Sequence, residues 1–198
     1  LIFLDIFSGF GAEKCSKMCS KVPKHDLVDL AISIANASPS GHICAVKVDG
    51  TVSCWGDNID GQLGIPPGEK VLRTNPLQVP GLTDIPVQQV SVGLSHTCVL
   101  SNGTVYCWGR TVEGQTGVVA GEPPFVTTAT LVEGLPEEVR SVIAGPQHTC
   151  VLGEENRVLC WGDRSYKLFE GVGSELPDGW PPYTPLEFEF DPIKKLSA

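Results

Sequence analysis

Apolar and polar positions alternate in short runs along this chain, and the runs return at a fixed interval. Three segments can be laid over one another: GHICAVKVDGTVSCWGDNIDGQLG (41–64), LSHTCVLSNGTVYCWGRTVEGQTG (94–117) and PQHTCVLGEENRVLCWGDRSYKLF (146–169). Trp55, Trp108 and Trp161 are spaced 53 and 53, and Cys54, Cys107 and Cys160 keep that spacing. His42, His96 and His148 are spaced 54 and 52. Each unit is preceded by a β-branched lead-in, at 29–36 (DLAISIAN), 87–93 (VQQVSVG) and 139–145 (VRSVIAG), and IKKLSA at 193–198 repeats that lead-in. A further strand precedes each later lead-in, at 76–79, 128–132 and 185–190. Glycine, proline, asparagine and aspartate punctuate these runs, which is the pattern of strands joined by turns. The best helical candidate, Pro23–Asn36, alternates and is β-branched, so it too reads as a strand.

Four strands per unit of this period is the signature of propeller blades. The chain is therefore expected to be all-β: a partial β-propeller of antiparallel four-stranded blades, three repeats of about 53 residues plus the start of a fourth. The repeats occupy 27–198, at about 27–64, 76–117 and 128–169, with the fourth opening at 185–198; residues 1–26 have no assigned role.

Turn chemistry sets the register of each central hairpin. Asn102-Gly103 is the favoured two-residue type I′ loop, which places Cys98 opposite Cys107 and His96 opposite Gly109. Val48-Asp49-Gly50 is a three-residue loop with Gly50 at the left-handed position, placing Cys44 opposite Cys54 and His42 opposite Gly56. Glu154-Glu155-Asn156 is expected to use Asn156 at that position, placing Cys150 opposite Cys160 and His148 opposite Gly162. Each cysteine pair falls on a non-hydrogen-bonded position, where Cα atoms come within about 4.5 Å of each other, inside the disulfide window. Three cross-strand disulfides are the expectation. Zinc ligation and reduced, buried cysteines are the competing readings; against zinc stand the missing fourth ligand and the absent Cys-x-x-Cys knuckle. Cys15 and Cys19 lie outside the repeat, and their pairing is open.

Both faces of such a hairpin are apolar, so each sheet must be covered on both sides, and stacking blade on blade does this. Trp55, Trp108 and Trp161 are then packing wedges between blades. The recurrent histidines sit opposite a glycine, with room for the ring to lie across the backbone. No carboxylate or nucleophile recurs beside them, so no catalytic residue, metal or cofactor is expected.

Composition narrows the function. Gly and Pro together make 38 of 198 residues, which excludes a helical bundle, and 41% apolar residues exclude a disordered chain. A net charge of −9 argues against nucleic acid as a partner. No apolar run reaches membrane-spanning length. Leu1–Phe10 is apolar like the tail of a signal peptide, although Asp5 interrupts it. Asn36-Ala-Ser and Asn102-Gly-Thr are glycosylation sequons suited to a secreted chain.

The Gly93-x-x-His96 and Gly145-x-x-His148 openings, the D-G and N-G hairpins, Trp55-Gly56, Trp108-Gly109, Trp161-Gly162 and the following Gly61-Gln62-Leu63-Gly64 resemble the regulator of chromosome condensation repeat. Unit one lacks the Gly-x-x-His spacing, and unit three reads Lys167-Leu168-Phe169-Glu170-Gly171 in place of G-Q-x-G. The resemblance implies a propeller, usually of seven blades, and the doubled cysteines are similar to those of extracytoplasmic members. Three and a half units would not close such a ring. Further blades, a second copy, or residues 1–26 acting as a cap are the three ways to complete it. The expected function is a non-catalytic protein-protein interaction scaffold in an oxidising compartment. Its binding loops are 57–75, 110–127 and 163–184, the last containing Trp180-Pro-Pro-Tyr183. The alternative implied by the same resemblance is a guanine-nucleotide exchange factor or a chromatin-associated propeller.

Overall fold

The computed structural model describes residues 26–32, 41–68, 72–118, 123–135, 137–163 and 186–189. They form three antiparallel four-stranded sheets, each a meander in sequence order. Blade one holds β1 (Leu27–Ile32), β2 (His42–Lys47), β3 (Val52–Asp57) and β4 (Leu72–Gln78). Blade two holds β5 (Gln89–Val92), β6 (His96–Ser101), β7 (Thr104–Arg110) and β8 (Phe125–Leu131). Blade three holds β9 (Ser141–Ala144), β10 (His148–Leu152), β11 (Arg157–Gly162) and β12 (Leu186–Glu189). No α-helix occurs among the described residues.

The hairpin registers follow the turns. His42, Cys44 and Val46 face Gly56, Cys54 and Val52, and the corresponding pairs recur in blades two and three. Asn102 (φ 47°) and Gly103 (φ 78°) make the type I′ turn, and Gly50 (φ 80°) closes the first loop. The Asp49 carboxylate supports that loop by accepting from Thr51 N at 3.0 Å and Thr51 Oγ1 at 2.6 Å. The third loop differs from expectation. It is a 3₁₀ turn, Glu154–Asn156, whose left-handed residue is Glu155 (φ 52°) rather than Asn156. The middle residue takes up the reversal there, and the chain is already extended at Arg157 (φ −69°, ψ 124°).

The outer strands β4 and β8 begin earlier than their apolar runs. Their side chains are exposed or half-buried, so the apolar signal covers only their ends. Pro76 is accommodated within β4 because it is an outer strand with one free edge. Both β3–β4 and β7–β8 shift register at Trp55 and Trp108, a bulge that for Trp108 sets the indole into the layer shared with blade one. β1 starts two residues before its predicted run. Residues 33–36 of that run, the lead-in at 193–198, Asn36, Cys15, Cys19 and Trp180–Tyr183 lie outside the described residues.

Consecutive lead-in strands β1, β5 and β9 lie side by side. Their side chains satisfy edge N–H groups of the next blade: Asp29 Oδ2 accepts from Val90 N (2.9 Å), Gln89 Oε1 from Val142 N (3.0 Å) and Ser91 Oγ from Ala144 N (2.9 Å). The core is divided into layers between blades. Cys44, Val46, Val52 and Cys54 of blade one pack with Val90, Val99 and Trp108 of blade two. Cys98, Leu100, Val105 and Cys107 of blade two pack with Val142, Val151, Leu159 and Trp161 of blade three.

Candidate functional site

Two features carry the chemistry of this fold: the joints between blades and the loops of one rim. At the first joint, His42 Nε2 lies 2.8 Å from Thr97 Oγ1, Thr97 Oγ1 donates to the Gln62 carbonyl at 2.8 Å, and Trp108 Nε1 donates to the same carbonyl at 2.9 Å. The second joint repeats this with His96, Thr149, Gln115 and Trp161 at 2.9, 2.7 and 3.0 Å. A threonine hydroxyl has one proton, and it goes to the carbonyl, so the histidine Nε2–H must be the donor. Donation from Nε2 fits either charge state, but with Nδ1 buried and unpartnered an imidazolium would leave a second N–H without an acceptor, so His42 and His96 are neutral. Burial drives His42 and His96 down to a pKa of about 3, and lowers His148 as well. His42 and His96 thus serve as buried donors within the joints.

The glycines are arranged differently from expectation. The imidazoles of His96 and His148 lie on Gly93 and Gly145, where a Cβ would collide with the ring. The facing glycines, Gly56, Gly109 and Gly162, instead have φ between 102° and 111° and pass against the backbone at the start of the preceding strand. A Cβ at Gly109 would stand 2.8 Å from His96 Cα. The hairpin glycine thus admits backbone, and the Gly-x-x-His glycine admits the ring.

Beside the joints lie the cysteines. Cys44–Cys54, Cys98–Cys107 and Cys150–Cys160 have sulfur separations of 2.11, 2.09 and 2.05 Å and Cα separations of 4.1–4.2 Å. Among the described residues no cluster of three His, Cys, Asp or Glu side chains is placed to hold a metal ion.

On the rim opposite the hairpin turns, the loops after β3 and β7 are held by their own side chains. Asn58 Nδ2 donates to the Ile65 and Pro66 carbonyls (3.1 and 3.3 Å), and its Oδ1 accepts from Leu63 N (3.0 Å). Gln62 Oε1 accepts from Asp60 N, and Gln115 Oε1 from Glu113 N. Arg110 clamps Glu113 with two 3.0 Å bonds and reaches Asp60 of the preceding blade at 3.9 Å. Burial alone would raise Glu113, but the Arg110 and Gln115 bonds outweigh it and hold the carboxyl below its usual range. At the same position of the two loops stand Ile59 and Val112, 57% and 40% exposed. On the other rim, Asn102 is exposed in its turn, with Oδ1 accepting from Gln88 Nε2 at 2.7 Å.

The sequence profile of the regulator of chromosome condensation (RCC1) repeat matches residues 49–100, and a second profile of that description matches 87–115 and 139–166. The chain belongs to the RCC1 repeat family. Two RCC1-repeat relatives are the human probable E3 ubiquitin-protein ligase HERC4, 32% identical over 155 residues, and the mouse regulator of chromosome condensation, 34% identical over 154. The matches cover 76% and 75% of this chain but only 14% and 34% of the relatives' lengths. Prp20p of Saccharomyces cerevisiae, described with its binding to Gsp1p and histones, superposes with a TM-score of 0.63 at 22% identity, covering 75% of this chain and 36% of Prp20p. Human WBSCR16 superposes at 0.55 and 26% identity, covering 61% of this chain and 30% of that one. These structures share the propeller fold of the RCC1 repeat.

Among the site residues, His42, His96, Trp108 and Trp161 are brought into the joints, and His148 occupies the corresponding place in blade three. Trp55 is buried against Ile43 and Ala45. Thr97, Thr149 and Gln115 were not singled out from sequence, and Gln62 was noted only as part of the Gly61-Gln62-Leu63-Gly64 motif. Their signal was present as polar residues recurring at spacings of 52 and 53 within apolar surroundings. No helix among the described residues is long and apolar enough to cross a membrane.

Proposed function

We propose that the chain is a non-catalytic protein-protein interaction scaffold, with the rim of Ile59 and Val112 as its binding edge. The observation that carries this reading is the repetition of one device. A loop fixed by its own hydrogen bonds holds an exposed branched aliphatic side chain at the same place in successive blades. Preorganised loops lose little entropy on binding, and exposed apolar groups with polar neighbours suit protein contact. The titratable groups that recur, the histidines, are buried and neutral, which favours binding over chemistry.

Disulfide-stapled hairpins and an oxidising compartment belong to the same proposal. They are supported by the three sulfur contacts, and glycosylation at Asn102 and Asn36 would accompany them. The second reading, nucleotide exchange or chromatin association, is favoured by 34% identity to the mouse regulator of chromosome condensation. The net charge of −9 weighs against its chromatin arm.

Photo-crosslinking amino acids at Ile59 and Val112 test the rim, with Val48 on the opposite rim (67% exposed) as control. In extract from the native source, both rim positions are expected to capture one common protein that Val48 does not. Equal capture from all three positions, or none from the rim, overturns this reading.

A further inference from the structure

We propose that Thr97 and Thr149 make the blade joints redox-responsive. When the hairpin cysteines are reduced, the thiols of Cys44 and Cys98 donate to these hydroxyls, exchanging a bond within one blade for a bond between two. The proposal rests on the reading of Cys44–Cys54 and Cys98–Cys107 as disulfides.

Two contacts carry it. Cys44 Sγ lies 3.9 Å from Thr97 Oγ1, and Cys98 Sγ lies 3.8 Å from Thr149 Oγ1, each across the joint to the following blade. Both separations suit a hydrogen bond that involves sulfur. In the disulfide form, however, neither contact has a proton to share. The Thr97 hydroxyl gives its proton to the Gln62 carbonyl, and the Thr149 hydroxyl gives its own to that of Gln115. A disulfide sulfur carries none. Each hydroxyl oxygen has two lone pairs; one accepts from His42 or His96, and the other is open to the sulfur.

Reduction supplies the missing proton. A dithiol reductant passes two electrons and two protons to the pair: the S–S bond breaks, two S–H bonds form, and the reductant leaves as its own disulfide. The Cys44 thiol then finds an acceptor already in place. Thr97 Oγ1 would accept from His42 and Cys44 while still donating to Gln62. Cys44, Cys98, Thr97 and Thr149 are all 0% exposed, so water does not compete for the thiol proton. The S–H···O bond exists only in the reduced form, so it makes these pairs easier to reduce than the same hairpins without the threonine. Loss of the staple is thereby offset in part at the joint, and the blades stay docked while the hairpin relaxes.

The test is a crossed redox titration of the full chain. The protein is equilibrated with mixtures of oxidised and reduced dithiothreitol, quenched, alkylated, and read pair by pair from the masses of its peptides. Thr97→Val removes the thiol acceptor from the reduced form alone, whereas it removes the His42 acceptor from both forms, so only the thiol bond enters the redox equilibrium. Thr97→Val is expected to make Cys44–Cys54 about two- to fivefold harder to reduce and to leave Cys98–Cys107 unchanged. Thr149→Val is expected to do the reverse, and Thr97→Ser to match the parent chain. Equal shifts of both pairs, no shift, or easier reduction overturns the proposal. A second arm does not depend on disulfide formation. In a Cys15→Ser/Cys19→Ser background, Cys54→Ala leaves Cys44 a permanent thiol, and Cys44→Ala leaves Cys54 one. The infrared S–H stretch is expected at lower frequency in the Cys54→Ala chain, and equal frequencies overturn the proposal. Pairs that fail to oxidise in every mixture would instead count against the disulfide reading, with the infrared arm still deciding the thiol bond.

Discussion

The hydroxyl of Thr97 holds two blades together with one proton given and one received. Thr97→Val keeps the shape but leaves the His42 N–H buried without an acceptor. It is expected to cost about 1–3 kcal/mol in urea unfolding, while Thr97→Ser keeps most of the stability. Acid should attack the same joint. His42 and His96 titrate near 3 in the fold, against about 6.5 when unfolded, so below 6.5 the unfolded chain binds protons that the folded chain refuses. The stability these neutral histidines supply is complete above pH 6.5 and is lost as pH falls toward about 3. Between pH 6 and 5, before most carboxylates protonate, each histidine should contribute close to 1.4 kcal/mol per pH unit. Urea midpoints measured across that window check the slope, and His42→Gln should reduce it by one histidine's share, with His96 and His148 supplying the rest. Gly93→Ala places a methyl in the His96 ring and should destabilise more than Gly81→Ala, whose Cβ would meet nothing within 4 Å.

At the scale of the strand and hairpin, each sheet is a local meander, and the cysteine pairs close loops of nine or ten residues. Loop-closure entropy makes each bond worth about 2–3 kcal/mol, so Cys98→Ala/Cys107→Ala should lower stability by about that amount under oxidising conditions and leave the thiol-reduced protein nearly unchanged. The hairpins were legible in the sequence because turn residues and a period of two fix register without tertiary information. The outer strands were legible only in part: Arg73 belongs to β4 through backbone pairing with Gly56, which apolar pattern does not report. The joints were half legible. Histidine and tryptophan stood out, whereas Thr97 and Gln62 act through a hydroxyl and a main-chain carbonyl, and the link between them crosses from one blade to the next. Glycine roles were misassigned because facing position across a hairpin does not say which surface a ring will choose.

For the whole molecule, hydrogen-bonded joints tie the sheets to one another, and the proposed sulfur staples would add rigidity within each. Rigid blades are what would hold Ile59 and Val112 in fixed relation for a partner, and Arg110 ties their loops together across the joint. Without the staples, the same fold would rest on its joints and layers alone, and an oxidising compartment would lose its main support. The direct measurement is the intact mass of the natively produced protein after denaturation and thiol alkylation without reductant. Six or more of the eight cysteines are expected to be protected, with the protected residues mapping to Cys44, Cys54, Cys98, Cys107, Cys150 and Cys160. Alkylation of all eight would contradict it.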